Sequence, residues 1–314
     1  MPDGVVVQPG APALAARRTR RSGLHALTRR KSTIAFVMCL PLIAVIVGLV
    51  AYPAAYSIYL SMLNRKMTAF IGLANYAWLL SRPGFRMVIF QSVFFAVTAV
   101  LFKATIGFML AHFMHNISGK MQRLFRGLLL VPWVIPLALS TYGWWWLFDP
   151  SYSAFNWVLA KLGLPTVPWL GDIWWARIAV IAVNVWYGTP FFMIMYLAAL
   201  KSVPEQLYEA AAIDGAGAWQ KLRYVTLPMM RNIISITVLF SLIVTFANFD
   251  IVRILTNGGP DDHTHLFATY AAMIGIQSAD IPDGAAVSLF MLPILAIFAY
   301  FILRGVTRRA KEEM

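Results

Sequence analysis

Six long apolar runs set the pattern of the chain, near Ile34–Leu60, Val88–Ala111, Gly127–Phe148, Ile178–Leu200, Ile233–Phe249 and Ala285–Leu303. A helix needs about 20 residues to cross roughly 30 Å of hydrocarbon, so each run is long enough to span a membrane. The predicted fold class is therefore all-α integral membrane, with six transmembrane helices. The first run is too long for a secretory leader and lacks the small-residue cleavage pattern, so it is read as a span.

Composition agrees with this pattern. Of 314 residues 60% are hydrophobic and only 12% charged, which excludes a soluble globular protein with a solvated surface. Cys39 is the single cysteine, and no Cys/His cluster has metal-ligand spacing, so neither a disulfide nor a metal is expected. The net charge of +13 raises the question of nucleic acid, but the basic residues stand in short tracts beside apolar runs rather than along one domain face. Their distribution is topological. With the amino terminus inside, the inner segments carry 18 Lys and Arg and the outer segments seven, with Lys103 inside a span. That bias places both termini in the cytoplasm. The tail of residues 1–33 is expected to be mostly disordered up to Ser22 and to hold the first span the right way round, with residues 34–304 as the transmembrane domain and 305–314 as a second cytoplasmic tail.

One inner segment is long and polar. Residues 201–232 read KSVPEQLYEAAAIDGAGAWQKLRYVTLPMMRN. Ser202 and Glu205 have capping-box spacing, Pro204 suits a first turn, and a helix-favouring run follows over Glu205–Ile213. Asp214-Gly215 interrupts it, and a second short helix over Ala216–Val225 leads to Leu227-Pro228, where the chain is expected to turn into the fifth span. Ala210, Ala211 and Ala212 leave a low surface that another backbone can approach.

Glu209-Ala210-Ala211, Gly215 six positions after the glutamate, and Val225-Thr226-Leu227-Pro228 resemble the EAA loop of bacterial ABC importer permeases. The departures are Val225 in place of the usual Ile, and Asn232 where a Pro is often found. The resemblance extends from about Tyr52 to Thr264. Tyr52-Pro53, Phe70-Ile71-Gly72-Leu73-Ala74-Asn75-Tyr76, Trp146-Leu147-Phe148-Asp149-Pro150 with Asn156, Trp186-Tyr187-Gly188-Thr189-Pro190, and Leu255-Thr256-Asn257-Gly258-Gly259-Pro260 are similar to the carbohydrate-uptake branch, first-permease type. Ser153 stands where that branch often has Gly.

The resemblance implies a permease with a cytoplasmic coupling helix in the bacterial inner membrane. Glu209, Ala210, Ala211, Asp214, Gly215, Leu227 and Pro228 would couple it to an ATPase. Its implied partners are a second permease subunit, two ATP-binding subunits and an extracytoplasmic solute-binding protein, besides membrane lipid. ATP and Mg would be held by the ATPase partners, because the chain has no GxxxxGK[ST] loop of its own.

For a sugar-like solute a passage needs aromatic faces for C–H surfaces and amides or carboxylates for hydroxyls. Asn184, Trp186 and Tyr187 in the fourth span, and Phe246, Asn248, Phe249 and Asp250 at the end of the fifth, supply both. If the fifth helix continues, Phe246, Phe249, Asp250 and Arg253 share one face. Helix–helix hydrogen bonding is the competing role for the amides, and Lys103 either snorkels, pairs with a neighbouring subunit or lines the passage. Pro132, Pro136, Pro190 and Pro293 break backbone bonds within spans, which favours a transport bundle. Two other classes are weaker. An ion-coupled secondary transporter needs interior carboxylates that the spans lack, and an intramembrane enzyme needs a catalytic grouping that no spacing here suggests; His112 and His115 are expected to be interfacial.

Overall fold

The computed structural model describes residues 31–312 apart from Ser118, with side chains from Ala35 to Arg304. The expected disordered tail lies outside the described residues as far as residue 30. The described residues fall into two units, one ending at Ala55 and one starting at Tyr56. Among the described residues there is no strand, only an isolated bridge between Leu63 and Phe70.

The helices are α1 (Ala35–Ser61), α2 (Ala74–Ser81), α3 (Pro83–His115), α4 (Gly119–Val134), α5 (Leu137–Leu147), α6 (Ala154–Lys161), α7 (Ile173–Lys201), α8 (Glu205–Ile213), α9 (Ala218–Phe246), α10 (Asp250–Leu255), α11 (Phe267–Gln277) and α12 (Ile281–Glu312). Five of them, α1, α3, α7, α9 and α12, are long and apolar enough to cross a membrane, and α4 with α5 makes a sixth crossing if the pair is one span.

Local chemistry accounts for the helix starts. Pro83 opens α3, where its missing N–H costs nothing. Asp172 caps α7 by accepting from the amides of Trp174 and Trp175 at 2.9 and 3.1 Å. Ser153 caps α6, accepting from Asn156 N at 3.1 Å while its own hydroxyl donates to Leu147 O at 2.8 Å. Its φ of −57° requires no glycine.

Proline positions explain three of the irregularities; the π turn that ends α11, over Met273–Gln277, has no proline. The third run, expected as one span over Gly127–Phe148, is two helices bent by 90° at Ile135-Pro136, because Pro136 stands with extended ψ of 129° ahead of α5. In α1 and α9 the helix survives a proline by widening. A π turn over Val47–Ala51 precedes Tyr52-Pro53, and another over Leu222–Thr226 precedes Leu227-Pro228. The carbonyl four residues before each proline, Leu49 or Tyr224, lies in the widened turn, away from the ring that would strike it. The expected turn at Leu227-Pro228 is therefore absent, and α9 runs unbroken from Ala218 to Phe246.

The core of the second unit is the α3–α7 pair. A Cβ on Gly107 would lie 2.4 Å from Phe192 Cβ, and one on Gly188 would lie 2.6 Å from Lys103 Cδ. Both contacts step four residues on each helix, so α3 and α7 run parallel. Buried Phe85, Phe192, Tyr196, Met230 and Phe246 join α3, α7 and α9 into one cluster, on which Phe267 and Phe290 close from α11 and α12. The motif residue Asn75 serves this framework, its amide donating to Ser61 O and Leu63 O at 2.9 and 2.8 Å.

Candidate functional site

Two places combine the residues singled out by sequence. The first is residues 201–232. The helix predicted over Glu205–Ile213 forms with those bounds. The expected capping box does not form, because Pro204 occupies the N-cap and Ser202 Oγ donates to Ala199 O at 2.7 Å instead. At the far end Gly215 N bonds Ala212 O at 3.1 Å and Ala216 N bonds Ala211 O at 2.9 Å. This pair of bonds is a Schellman closure, and Gly215 takes the left-handed conformation it demands, with φ +75°.

Glu209, Ala210, Ala212 and Asp214 are exposed and Ala211 half-buried. Ile213 is 87% exposed, and Trp219 and Tyr224 are both 70% exposed. Apolar side chains so placed form an exposed patch that no described residue covers. Behind it, Tyr208 Oη and Thr226 Oγ1 share a hydrogen bond of 2.9 Å, which ties α8 to the root of α9. Leu227 and Pro228 lie in that root, directly after Thr226.

The second place is the middle of the bundle. Lys103 is 3% exposed, lies against Gly188 of α7 and donates from Nζ to Thr245 Oγ1 of α9 at 2.8 Å. It thereby joins three helices. Asn184 stands one turn from Gly188 on α7, and Asn248 N bonds Thr245 O at 3.1 Å. Both asparagines are buried, and the Oδ1 of each has no protein partner. Buried amide oxygens normally find a donor, so these two acceptors are left unsatisfied by the described residues. Trp186 and Tyr187 are half-buried beside it, with Trp186 edge-on to Trp144 at 5.4 Å. Trp144 thus turns inward and packs on Phe148 and Phe155, whereas its neighbours Trp145 and Trp146 are exposed.

The shared helical face expected at the end of the fifth span is not formed. α9 stops at Phe246, Ala247 caps it, and α10 starts afresh at Asp250. Phe246 is 1% exposed and packs against Phe298 of α12. Phe249 is exposed at the break, Asp250 half-buried. Arg253 donates to Asn257 Oδ1 rather than pairing with Asp250.

Sequence reasoning missed two positions. Gln91 of α3 is fully buried with both amide atoms lacking a protein partner. His265 is buried behind the Gly258-Gly259-Pro260 turn, where its Nδ1 lies 3.1 Å from Thr269 Oγ1. A Cβ on Gly258, φ +92°, would meet the His265 ring at 2.1 Å, so that glycine is required by the histidine as well as by the turn. Burial pushes the imidazole below its ordinary pKa; Asp262 opposes this and Arg253 reinforces it. Among the described residues no group of three His, Cys, Asp or Glu side chains is placed to hold a metal ion.

Comparison with known proteins gives a consistent result. The family model described as "Binding-protein-dependent transport system inner membrane component" matches residues 103–312. The trehalose/maltose transport system permease protein MalF of Thermococcus litoralis is 30% identical over 286 residues, covering 88% of this chain and 95% of the relative. The probable ABC transporter permease protein y4oQ of Sinorhizobium fredii is 35% identical over 299 residues, covering 93% and 94%. In fold, the chain is similar to one in the crystal structure of a bacterial ABC transporter involved in the import of the acidic polysaccharide alginate, with a TM-score of 0.79 at 23% identity over 92% of this chain and 99% of that one.

Proposed function

We infer, on the premise that this chain belongs to the family of binding-protein-dependent transport system inner membrane components, that it is the permease subunit of an ATP-driven importer of a sugar or sugar-like solute. The sugar class is supported by the relative that carries trehalose and maltose and by the buried layer of amides beside aromatic rings. The chain acts with a second permease, two ATP-binding subunits that hold ATP and Mg, and an extracytoplasmic solute-binding protein, with both of its termini in the cytoplasm.

The observation that carries the mechanism is the continuity of α9. Its 29 residues, about 44 Å at 1.5 Å per residue, run from the root that Tyr208 ties to α8 up to the break at Ala247–Phe249. The exposed face of α8, with Glu209, Ala210 and the Gly215 closure, docks on an ATPase. When ATP draws the ATPases together, α8 moves, and α9 carries that motion to Thr245, Lys103 and Asn248 in the mid-bundle layer. The two permeases then exchange inward-open and outward-open states around the solute. Asn184, Trp186, Tyr187, Asn248 and Asp250 face that passage, while Phe246 supports it from the core.

The test is uptake by cells lacking this chain and complemented with variants. Asn248→Ala and Asp250→Asn are expected to change the half-saturating concentration for, or the choice among, a panel of labelled disaccharides, with assembly unchanged. Reduced assembly with unchanged preference would remove this segment from the passage. Glu209→Lys is expected to abolish uptake with the subunit still inserted; normal transport by that variant would remove α8 as the coupling element.

A further inference from the structure

A cleft of about 780 Å³ separates α8 from the ends of α3 and α7 and from the root of α9. Its size lies within the range of about 300–1,000 Å³ usual for sites of small ligands. The two sides of the cleft differ in chemistry. Phe108 of α3, Leu200 of α7 and Leu222 of the π turn make an apolar wall. Lys201 and Lys221 stand on the rim with the imidazoles of His112 and His115, against a single carboxylate, Glu205.

Depth gives these groups a common meaning. The apolar helices α3 and α7 end at His115 and Lys201, so the basic rim lies where a bilayer changes from acyl chain to phosphate. Basic pockets between helix ends on the cytoplasmic side attract anionic lipid headgroups. We propose that this cleft holds the headgroup of an anionic glycerophospholipid, with its phosphate between Lys201 and Lys221 and its glycerol and upper acyl segments against Phe108, Leu200 and Leu222. A soluble phosphate would satisfy the rim and leave the apolar wall uncovered, which is why the lipid is the occupant. The cleft also contains Tyr208 and Thr226, whose hydrogen bond joins α8 to α9. A headgroup there touches both partners of that tie, and the coupling of ATP hydrolysis to uptake therefore depends on lipid charge. The site rests on the orientation proposed above but not on the identity of the solute.

The experiment uses the importer purified with its own partner subunits, placed in phosphatidylcholine nanodiscs with or without phosphatidylglycerol. Native mass spectrometry counts retained phosphatidylglycerol. Loss of both lysine charges in Lys201→Gln/Lys221→Gln should lower retention about thirtyfold, at the usual strength of a basic residue near an anionic surface. Arg223→Gln, exposed in the same turn but outside the cleft, should leave retention unchanged, and Lys201→Arg/Lys221→Arg should preserve it. If the double glutamine variant does not assemble, Lys221→Gln alone is read by the same count. Uptake is read in sealed proteoliposomes of the same two compositions, where wild-type importer in pure phosphatidylcholine should hydrolyse ATP with uptake reduced to the level of the double variant. Equal retention by wild type and glutamine variants overturns the proposal. So does equal retention of the two lipids, displacement of phosphatidylglycerol by inorganic phosphate or glycerol 3-phosphate at matching concentration, or full uptake in pure phosphatidylcholine. Loss of uptake with retention unchanged would overturn the lipid site and leave the coupling reading of α8 standing.

Discussion

Gly215 offers the sharpest test of how α8 is built. Its φ is +75°, and a Cβ placed there would meet nothing within 4 Å. Substitution therefore costs backbone conformation and no contact inside this chain. An L-residue held in the left-handed region costs about 1–2 kcal/mol, with Asn penalised less because its short polar side chain bonds locally. At 1.4 kcal/mol per factor of ten, Gly215→Ala should reduce the population of the Schellman-closed loop by about 5- to 30-fold, and Gly215→Asn by less. Gly215→Pro should abolish the closure, because its φ is locked near −65° and it loses the N–H that bonds Ala212 O at 3.1 Å. The assay is uptake of labelled sugar, normalised to subunit in the membrane, with co-purification of the ATPase as a second reading. A competing account makes Gly215 necessary because the partner approaches its Cα closely. That account ranks variants by bulk, with Ala better than Asn. The conformational account gives the reverse order, and an alanine variant that outperforms asparagine would refute it.

Three further expectations follow from the same geometry. Tyr208→Phe removes the 2.9 Å bond to Thr226, worth about 0.5–1.5 kcal/mol; uptake per ATP should fall severalfold, and Tyr208→Phe/Thr226→Val should be no worse than either single variant, additive losses counting against a shared bond. In a Cys39→Ser background, single cysteines at Ala74, Ser153 and Asp262 should react with an impermeant thiol reagent outside intact cells, while one at Ala218 should not; labelling at 218 would reverse the orientation. His265 is held neutral by burial, so its folded pKa lies below the unfolded one and the unfolded loop binds more protons. The Gly258–His265 turn should lose stability as pH falls below about 6.5 toward the lowered folded pKa, measured as protease sensitivity of the outer loop, and His265→Asn should flatten that dependence.

The apolar runs disclosed the spans because lipid imposes a length and a composition that survive any tertiary detail. The α8 helix was equally legible, since its start and stop depend on Pro204, the alanines and Gly215, all of which act locally. What failed depended on competition between partners distant in the sequence or on hydrogen-bond bookkeeping. Ser202 had the right spacing for a cap, but Ala199 O, which already accepts the Ser202 N–H, lay within reach of its hydroxyl. Pro136 marked a weak point, but the apolar run continues through it without interruption, and Pro132 and Pro190 stand inside unbroken helices, so the 90° bend at Ile135-Pro136 could not be told from them. Two of the three π turns carried a signal, an X-Pro pair inside an apolar helix, whereas the third, over Met273–Gln277, has no proline; whether a proline bends, breaks or widens a helix is settled by which carbonyls can move.

The middle of the bundle was only half legible for a related reason. Asn184 and Asn248 stood out as costly residues in apolar runs, and Lys103 as a charge in a span, but nothing local joins them. The junction exists because Gly188 leaves room for the Lys103 stem and Thr245 places a hydroxyl 2.8 Å from its ammonium. No proline or glycine marks the end of α9 at Phe246; the break falls beside that junction, where Phe246 is fixed against Phe298 and Asn248 turns back to Thr245 O. A helix that ends where a buried lysine grips its last turn has its end defined by the neighbouring helices rather than by its own sequence. Shifting α9 along its axis must then strain or release the Lys103–Thr245 bond. In the mechanism proposed above that is how a motion begun at α8 reaches the passage, and Lys103→Met is the variant in which co-purification of the ATPase should persist while uptake fails.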